Sequence, residues 1–208
     1  NESCINDGKG VFSKTISFGT SNDSTIDVEV VDIDKDNDMD LVLANRDSQQ
    51  NYIYLNDGNL NFNKKIAYGS GNDITRSVAV SDINSDGYLD IVCANIGESN
   101  FIYFGDSNYN YEKKIEFDES SDKSYSIDTA DLDLDGDIDI VIGNSNSPNT
   151  VFYNDGTGTG WTKSILSNNS FNTYDIKISD LNSDGKPEII ESNSDERNIF
   201  YLNQSINR

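Results

Sequence analysis

The stretch "DLDLDGDIDIVIGN" that begins at Asp131 occurs in three further versions: "DIDKDNDMDLVLAN" from Asp32, "DINSDGYLDIVCAN" from Asp82 and "DLNSDGKPEIIESN" from Asp180. Their starts are 50, 49 and 49 residues apart. A repeat of that length is one supersecondary unit that cannot bury its apolar face alone, so the units must stack as a solenoid, propeller or array.

The flanks repeat too. Upstream of each acidic run lies an alternating segment, "IDVEVVD", "RSVAVSD", "YSIDTAD" or "YDIKISD". Its period of two places Val28 and Val30, Val78 and Val80, Ile127 and Thr129, and Ile176 and Ile178 on one face of a strand. Downstream, "LVLAN", "IVCAN", "IVIGN" and "IIESN" are nearly continuous apolar runs, as expected of strands covered on both faces. A third segment follows ("NYIYLNDG", "NFIYFGDS", "TVFYNDG", "NIFYLNQ"), closed in the first three units by an Asp-Gly or Asp-Ser turn signal. A fourth follows as "NFNKKIAYG", "NYEKKIEF" or "GWTKSIL". No segment has helical periodicity.

Four short strands per unit predict an all-β fold, a β-propeller of four-stranded antiparallel blades forming a single domain over residues 1–208. The units run over about 20–69, 70–118, 119–167 and 168–208. Residues 4–19, "CINDGKGVFSKTISFG", match the third-to-fourth strand passage of a unit whose first half is missing, while the last unit lacks a fourth strand. The expected architecture is therefore four blades, with residues 10–18 supplying the outer strand of the last. Closure of that kind hides sheet edges that otherwise invite aggregation. A slice of a longer propeller, and a ring completed by two chains, are the alternatives.

The acidic runs place oxygen donors at alternate positions 1, 3, 5 and 9. These are Asp32, Asp34, Asp36 and Asp40; Asp82, Asn84, Asp86 and Asp90; Asp131, Asp133, Asp135 and Asp139; and Asp180, Asn182, Asp184 and Glu188. Position 6 is Asn37, Gly87, Gly136 or Gly185, residues that tolerate positive φ. The backbone carbonyls of Asp38, Tyr88, Asp137 and Lys186 stand ready at position 7. This is the all-oxygen donor pattern of a calcium loop, and hard oxygen ligands suit Ca2+ better than zinc or copper. Three or four carboxylates held together without a counter-ion would repel one another, so about four Ca2+ ions are expected, one per repeat. Unlike the helix-flanked calcium loops that also begin D-x-D-x-D-G, these continue at positions 10–13 into β-type sequence, "LVLA", "IVCA", "IVIG" and "IIES".

Composition narrows the partners. The net charge is −22, with 15 Lys and Arg scattered along the chain, which disfavours nucleic acid. No apolar run approaches the ~18 residues of a membrane span, and no charged-then-apolar leader is present. There is no histidine, which removes histidine-base catalysis and imidazole-ligated zinc. Cys4 and Cys93 are too few for a disulfide scaffold and fall on opposite blades, so no intrachain disulfide is expected. Sequons at Asn1, Asn22, Asn168 and Asn203 arise readily by chance in so Asn- and Ser-rich a chain.

Over almost the whole chain, from about residue 4 to 203, these units resemble the FG-GAP or VCBS repeat family, known from integrin α-subunit heads and from microbial surface proteins and lectins. The family's Phe-Gly pair is visible as Phe18-Gly19 and, loosely, Tyr68-Gly69. It is missing before the third and fourth loops, which argues against an integrin subunit but not against a propeller. The resemblance implies structural calcium loops between the first and second strands of each blade, on one face of the disc, and ligands on the opposite face. On that face the starts of the first strands would place Ile26, Arg76, Tyr125 and Tyr174 in equivalent positions, with Arg76, Tyr125 and Tyr174 as candidate ligand-binding residues. The turns there carry Asn45, Asn95, Asn144 and Asn193; the alternative to a ligand site is that the tyrosines plug the channel and these asparagines cap the turns. Lys177 is expected to neutralise Glu29 and Asp128 near the axis. The functional expectation is a calcium-stabilised module, outside the cell or on its surface, that binds carbohydrate or protein without catalysis, as a monomer or ring-completing dimer. The alternatives are a polysaccharide lyase or hydrolase on the same scaffold, and a purely structural piece of a larger adhesin.

Overall fold

The computed structural model describes residues 1–204, so the last four residues of the fourth expected unit lie outside the described ones. Seventeen strands and no helix are present among the described residues. A hairpin comes first, β1 (Glu2–Asn6) and β2 (Phe12–Ser17). Next are β3 (Thr25–Val31), β4 (Asp40–Asn45), β5 (Asn51–Leu55) and β6 (Lys64–Tyr68), which form one antiparallel four-stranded sheet in sequence order. A second such blade is β7 (Thr75–Ser81), β8 (Asp90–Asn95), β9 (Asn100–Phe104) and β10 (Lys113–Asp118). A third comprises β11 (Lys123–Ala130), β12 (Asp139–Ser145), β13 (Thr150–Asn154) and β14 (Trp161–Ile165). The fourth has three strands, β15 (Asn172–Ser179), β16 (Glu188–Ser194) and β17 (Ile199–Tyr201). A single pairing, Ser145 with Asn172, joins the third and fourth blades into one seven-stranded sheet.

Three apolar layers hold the blades face to face. Val42, Ala44, Ile53 and Leu55 pack on Val78, Ile91 and Cys93. Val92, Ile102 and Phe104 pack on Ile127, Ile140, Ile142 and Phe152. Val141 and Val151 pack on Ile176 and Ile189. Because successive side chains alternate across a strand, each second strand feeds both neighbouring layers, and its sequence must be apolar throughout. Cys93 lies in the first layer and Cys4 is exposed; both are free thiols.

Asparagine side chains bridge the blades at the ends where the first strands begin. Asn51 Nδ2 donates to Thr75 Oγ1 at 2.8 Å, Asn100 Nδ2 to Ser124 Oγ at 3.0 Å and Asn149 Nδ2 to Thr173 Oγ1 at 2.9 Å. Each of these asparagines also accepts, through Oδ1, the amide of Asn45, Asn95 or Asn144, so the turn asparagines are structural.

The same ladder locates the N-terminal hairpin. Asn1 Nδ2 donates to Thr25 Oγ1 at 2.9 Å, the position that Asn51 takes one blade later. Phe18 packs on Tyr54 and Phe62, with ring centroids 5.9 and 5.7 Å apart. The hairpin therefore packs on the first blade as a separate two-stranded sheet, in the place that a third and fourth strand take against each later blade. The expected ring closure is corrected accordingly. Among the described residues β2 pairs with β1, β17 pairs with β16, and no strand of the hairpin joins the last blade. One consequence is visible on β3. Val28 and Val30 are 46% and 58% exposed, whereas Val78, Ile127 and Ile176 in the Val28 position of later blades are at most 1% exposed. The period-two face was read correctly, but on the first blade no inner strand covers it.

Phe152 is buried between the second and third blades, edge-on to Phe117 at 5.2 Å. Replacing it with alanine leaves a cavity that flanking sheets cannot close. Phe152→Ala is expected to lower unfolding free energy by about 3–5 kcal/mol in a urea titration.

Candidate metal centres and ligand groove

Each acidic loop folds around its first aspartate. The two oxygens of Asp32 accept the amides of Asp36 and Asn37, both at 3.0 Å. Asp82, Asp131 and Asp180 repeat the arrangement with Asp86 and Gly87, Asp135 and Gly136, and Asp184 and Gly185. The position-5 carboxylates of Asp36, Asp86, Asp135 and Asp184 accept the amides of Asp38, Tyr88, Asp137 and Lys186, fixing position 7 in every loop. The bend residues Asn37, Gly87, Gly136 and Gly185 have φ of 74, 89, 100 and 84°.

A second left-handed residue, at position 4, was not foreseen. Lys35, Ser85, Leu134 and Ser183 have φ of 58, 54, 63 and 61°. None is glycine, so sequence gave no signal, and the strained backbone recurs in all four loops.

Position 9 does more than offer a ligand. Asp40 is fully buried, and its two oxygens accept the amides of Ile33 at 3.0 Å and Asn56 at 2.8 Å. Asp90 holds Ile83 and Gly105, and Asp139 holds Leu132 and Asn154, in the same way. These carboxylates tie loop, second strand and third strand together. Glu188, also fully buried, accepts the amide of Leu181 at 2.9 Å.

In the first and third loops three carboxylates converge. One oxygen each from Asp32, Asp34 and Asp40 lies within 4.8 Å of the others, as does one each from Asp131, Asp133 and Asp139. Asp34 Oδ1 is buried with no hydrogen-bond donor, an orphaned acceptor that a hard cation would satisfy. In the second and fourth loops Asn84 and Asn182 replace the position-3 carboxylate, and their Oδ1 atoms accept the amides of Asp86 and Asp184. The donor set fits a hard divalent ion in all four loops, with most negative charge in the first and third.

Burial, and then the neighbouring carboxylates, push the protonation equilibria upward in the metal-free chain. Burial is the first cause for Asp90 and Asp139, whose pKa values rise to about 6. Asp34, Asp40 and Asp133 are raised for the same reason, with the charges of other carboxylates in their loops acting in the same direction. The loops also touch. Lys35 reaches from the first loop to the carbonyl of Gly87 in the second, with its ammonium 5.5 Å from the Tyr88 ring centroid.

At the other end of the first strands the structure shows a device that the sequence did not reveal. The register between first and second strands slips by one residue at the same place in each blade: between Thr25 and Asp27, Thr75 and Ser77, Ser124 and Ser126, and Thr173 and Asp175. The extra residues are Ile26, Arg76, Tyr125 and Tyr174. A bulged residue leaves the ladder and its side chain is re-aimed. Arg76 lies over the Tyr125 ring at 5.5 Å, and Tyr125 meets Tyr174 edge-to-face at 5.2 Å. These three residues, with Asp27, Ser77, Ser126, Asp175 and Lys177, line a groove of about 330 Å³. Lys177 is exposed and forms no ion pair with Glu29 or Asp128 among the described residues. Its charge only opposes the rise in Glu29 pKa that burial, Asp27 and Asp128 produce. The expected axial neutralisation is therefore a longer-range effect than a salt bridge.

With fold and loops in place, comparison with known proteins assigns a class. The FG-GAP-like repeat model matches at residues 32–93, 82–142 and 131–191, and the chain belongs to this family of repeat proteins. No curated protein sequence matches it significantly. Among solved structures it resembles an Agrocybe aegerita lectin, described as specifically recognising non-reducing terminal N-acetylglucosamine, at 19% identity and TM-score 0.63. It also resembles BBS1N, solved in complex with ARL6DN, at 16% identity and TM-score 0.59. The likenesses cover 91% and 86% of this chain and 54% of each relative, so the chain spans about half the length of the proteins it matches. At these identities the shared property is a propeller-like fold.

Raised carboxylate pKa values set a pH signature for the metal-free protein. Asp90 and Asp139 bind protons more tightly folded, at about 6, than at the ordinary 3.8. Their stabilising contribution is thus complete below about pH 4 and lost as pH rises through 6. In EDTA, the melting temperature is expected to fall between pH 4.5 and 6.5; a rise over that window in calorimetry would contradict the geometry.

Proposed function

We propose that this protein is a calcium-stabilised binding module that works outside the cell or on its surface, with a carbohydrate or protein ligand and no catalysis of its own. The observation that carries the reading is the fourfold loop, whose carboxylates converge in the first and third copies, with a buried acceptor lacking a donor, Asp34 Oδ1, in the first. Calcium is the ion of choice because every donor is a hard oxygen and calcium tolerates varied coordination geometry. Four such ions would offset roughly eight of the 22 net negative charges. Extracellular calcium is millimolar, which matches the weak affinities of extracellular calcium modules, about 10⁻⁴–10⁻³ M. Family membership supports an extracellular setting. The lectin and the ARL6DN-bound protein show that folds of this kind carry both carbohydrate and protein recognition.

Binding rather than turnover is supported by how the carboxylates are used. The acidic clusters belong to the loops, and the groove carboxylates are engaged by the sheet: Asp27 Oδ2 accepts Ser77 Oγ and the Val78 amide, and Asp175 Oδ1 accepts Ser126 Oγ.

At tenfold excess over Kd each site adds about 1.4 kcal/mol, so four sites add about 5–6 kcal/mol. For a chain of this size that corresponds to about 10–20 °C in melting temperature. Calorimetric titration is expected to count four ions per chain, and melting with and without EDTA to show that difference. A count of zero, or equal melting in both conditions, would overturn the proposal.

Asp34→Asn separates charge from shape. Removing one of three crowded carboxylates is expected to raise the melting temperature in EDTA and lower it in saturating calcium. The same shift in both media would show that the loop is an ordinary solvated turn.

A further inference from the structure

We infer that the row of bulged side chains is a recognition site for a neutral pyranose sugar, Tyr174 and Tyr125 supplying the stacking surface and Arg76, Lys177 and Asp175 the polar contacts. This rests on the binding-module reading above and names the ligand class for one face of it.

The argument begins with position. First strands are seven or eight residues long, so their bulges lie about 20 Å from the acidic loops at the opposite ends. A ligand held there need not touch the ions. The bulge itself is an unusual device to find at the same register in four blades, since each one gives up regular pairing to turn one side chain out of the sheet. The ladder neighbours on either side are fixed by structure. Thr25, Thr75 and Thr173, with Ser124, take part in the asparagine ladder. Asp27 and Asp175 receive hydroxyl hydrogen bonds from the adjacent blade. The bulged residue has no such duty, yet three blades in succession place Arg, Tyr and Tyr there, in contact with one another.

The chemistry of the groove then selects among ligands. Its charges are two cations, Arg76 and Lys177, and two carboxylates, Asp27 and Asp175, so it is locally close to neutral inside a protein of net charge −22. A polyanion would be repelled by the whole-molecule field with no local excess of positive charge to compensate. Neither Arg76 nor Lys177 forms an ion pair among the described residues, and Asp175 Oδ2 has no protein donor there. The site therefore offers unspent donors and an unspent acceptor side by side. A sugar hydroxyl is both donor and acceptor and can use both at once. The apolar surface is supplied by two tyrosine rings, one of them half exposed, with no aliphatic side chain in the lining. That combination suits the C–H face of a pyranose and gives a hydrophobic peptide side chain no pocket to fill. The volume, about 330 Å³, accommodates one sugar ring rather than a long oligomer.

The test uses the whole chain, loaded with calcium and checked as folded by calorimetry. It is screened on an array of neutral glycans, with polygalacturonate, heparin and a random peptide library as comparators. Hits are titrated by saturation-transfer NMR with the corresponding methyl glycosides. Binding of a neutral glycan, weakened about tenfold or more by Tyr174→Ala and also by Arg76→Gln, is the expected result. Both variants alter exposed or half-buried side chains, and calorimetry must show their calcium count and melting unchanged. The inference is overturned if the folded protein binds no neutral glycan, if either substitution leaves binding intact, or if only the anionic or peptide comparators bind. Loss of calcium dependence with glycan binding retained would instead defeat the calcium reading and leave this one standing.

Discussion

The structure depends on a buried carboxylate that answers to two partners. Asp40, Asp90 and Asp139 each accept the amide of the second loop residue and an amide at or just beyond the end of the third strand. Without them, three segments of a blade would meet at a point with two unsatisfied buried amides. Yet the same groups are removed from water beside other carboxylates, which pushes all three pKa values up, those of Asp90 and Asp139 to about 6. A negative charge is needed to hold the backbone and is resisted by its surroundings. A divalent cation would resolve the conflict, because it would allow the carboxylate to stay charged while facing its neighbours. On the proposed reading, proton and cation would compete for the same oxygens.

That constraint explains why so much of the fold could be read from sequence. Three requirements act at fixed spacing in every unit: alternate oxygens, a left-handed bend, and apolar strands on both sides. Together they repeat every 49 or 50 residues. The strands, their antiparallel order and the position of each loop follow. Closure does not, because the third-to-fourth strand passage in residues 4–19 carries the same sequence whether it completes the last blade or stands before the first. Only the Asn1–Thr25 bond and the packing of Phe18 on Tyr54 decide between them. The left-handed backbone at Lys35, Ser85, Leu134 and Ser183 was hidden for a different reason: their side chains impose no such conformation, and the hydrogen bonds around them do. The bulges were equally invisible. An alternating pattern reads the same on either side of a one-residue slip until strand register is known.

The two ends of the first strand carry different kinds of information. At the loop end, donors vary little among the four copies: carboxylate, carboxamide or the longer Glu188, all oxygen. At the bulge end the four copies hold Ile26, Arg76, Tyr125 and Tyr174, which share no chemistry. A residue in the ladder must satisfy its cross-strand partner and the adjoining blade, so substitution there is felt through the apolar layers. A bulged residue owes nothing to either, and can differ in each blade at little cost to folding. Repeats that are uniform where ions are expected and individual where side chains leave the sheet would, on the proposed reading, separate the means of stability from the means of recognition. In a stacked array the second can change while the first is copied from blade to blade.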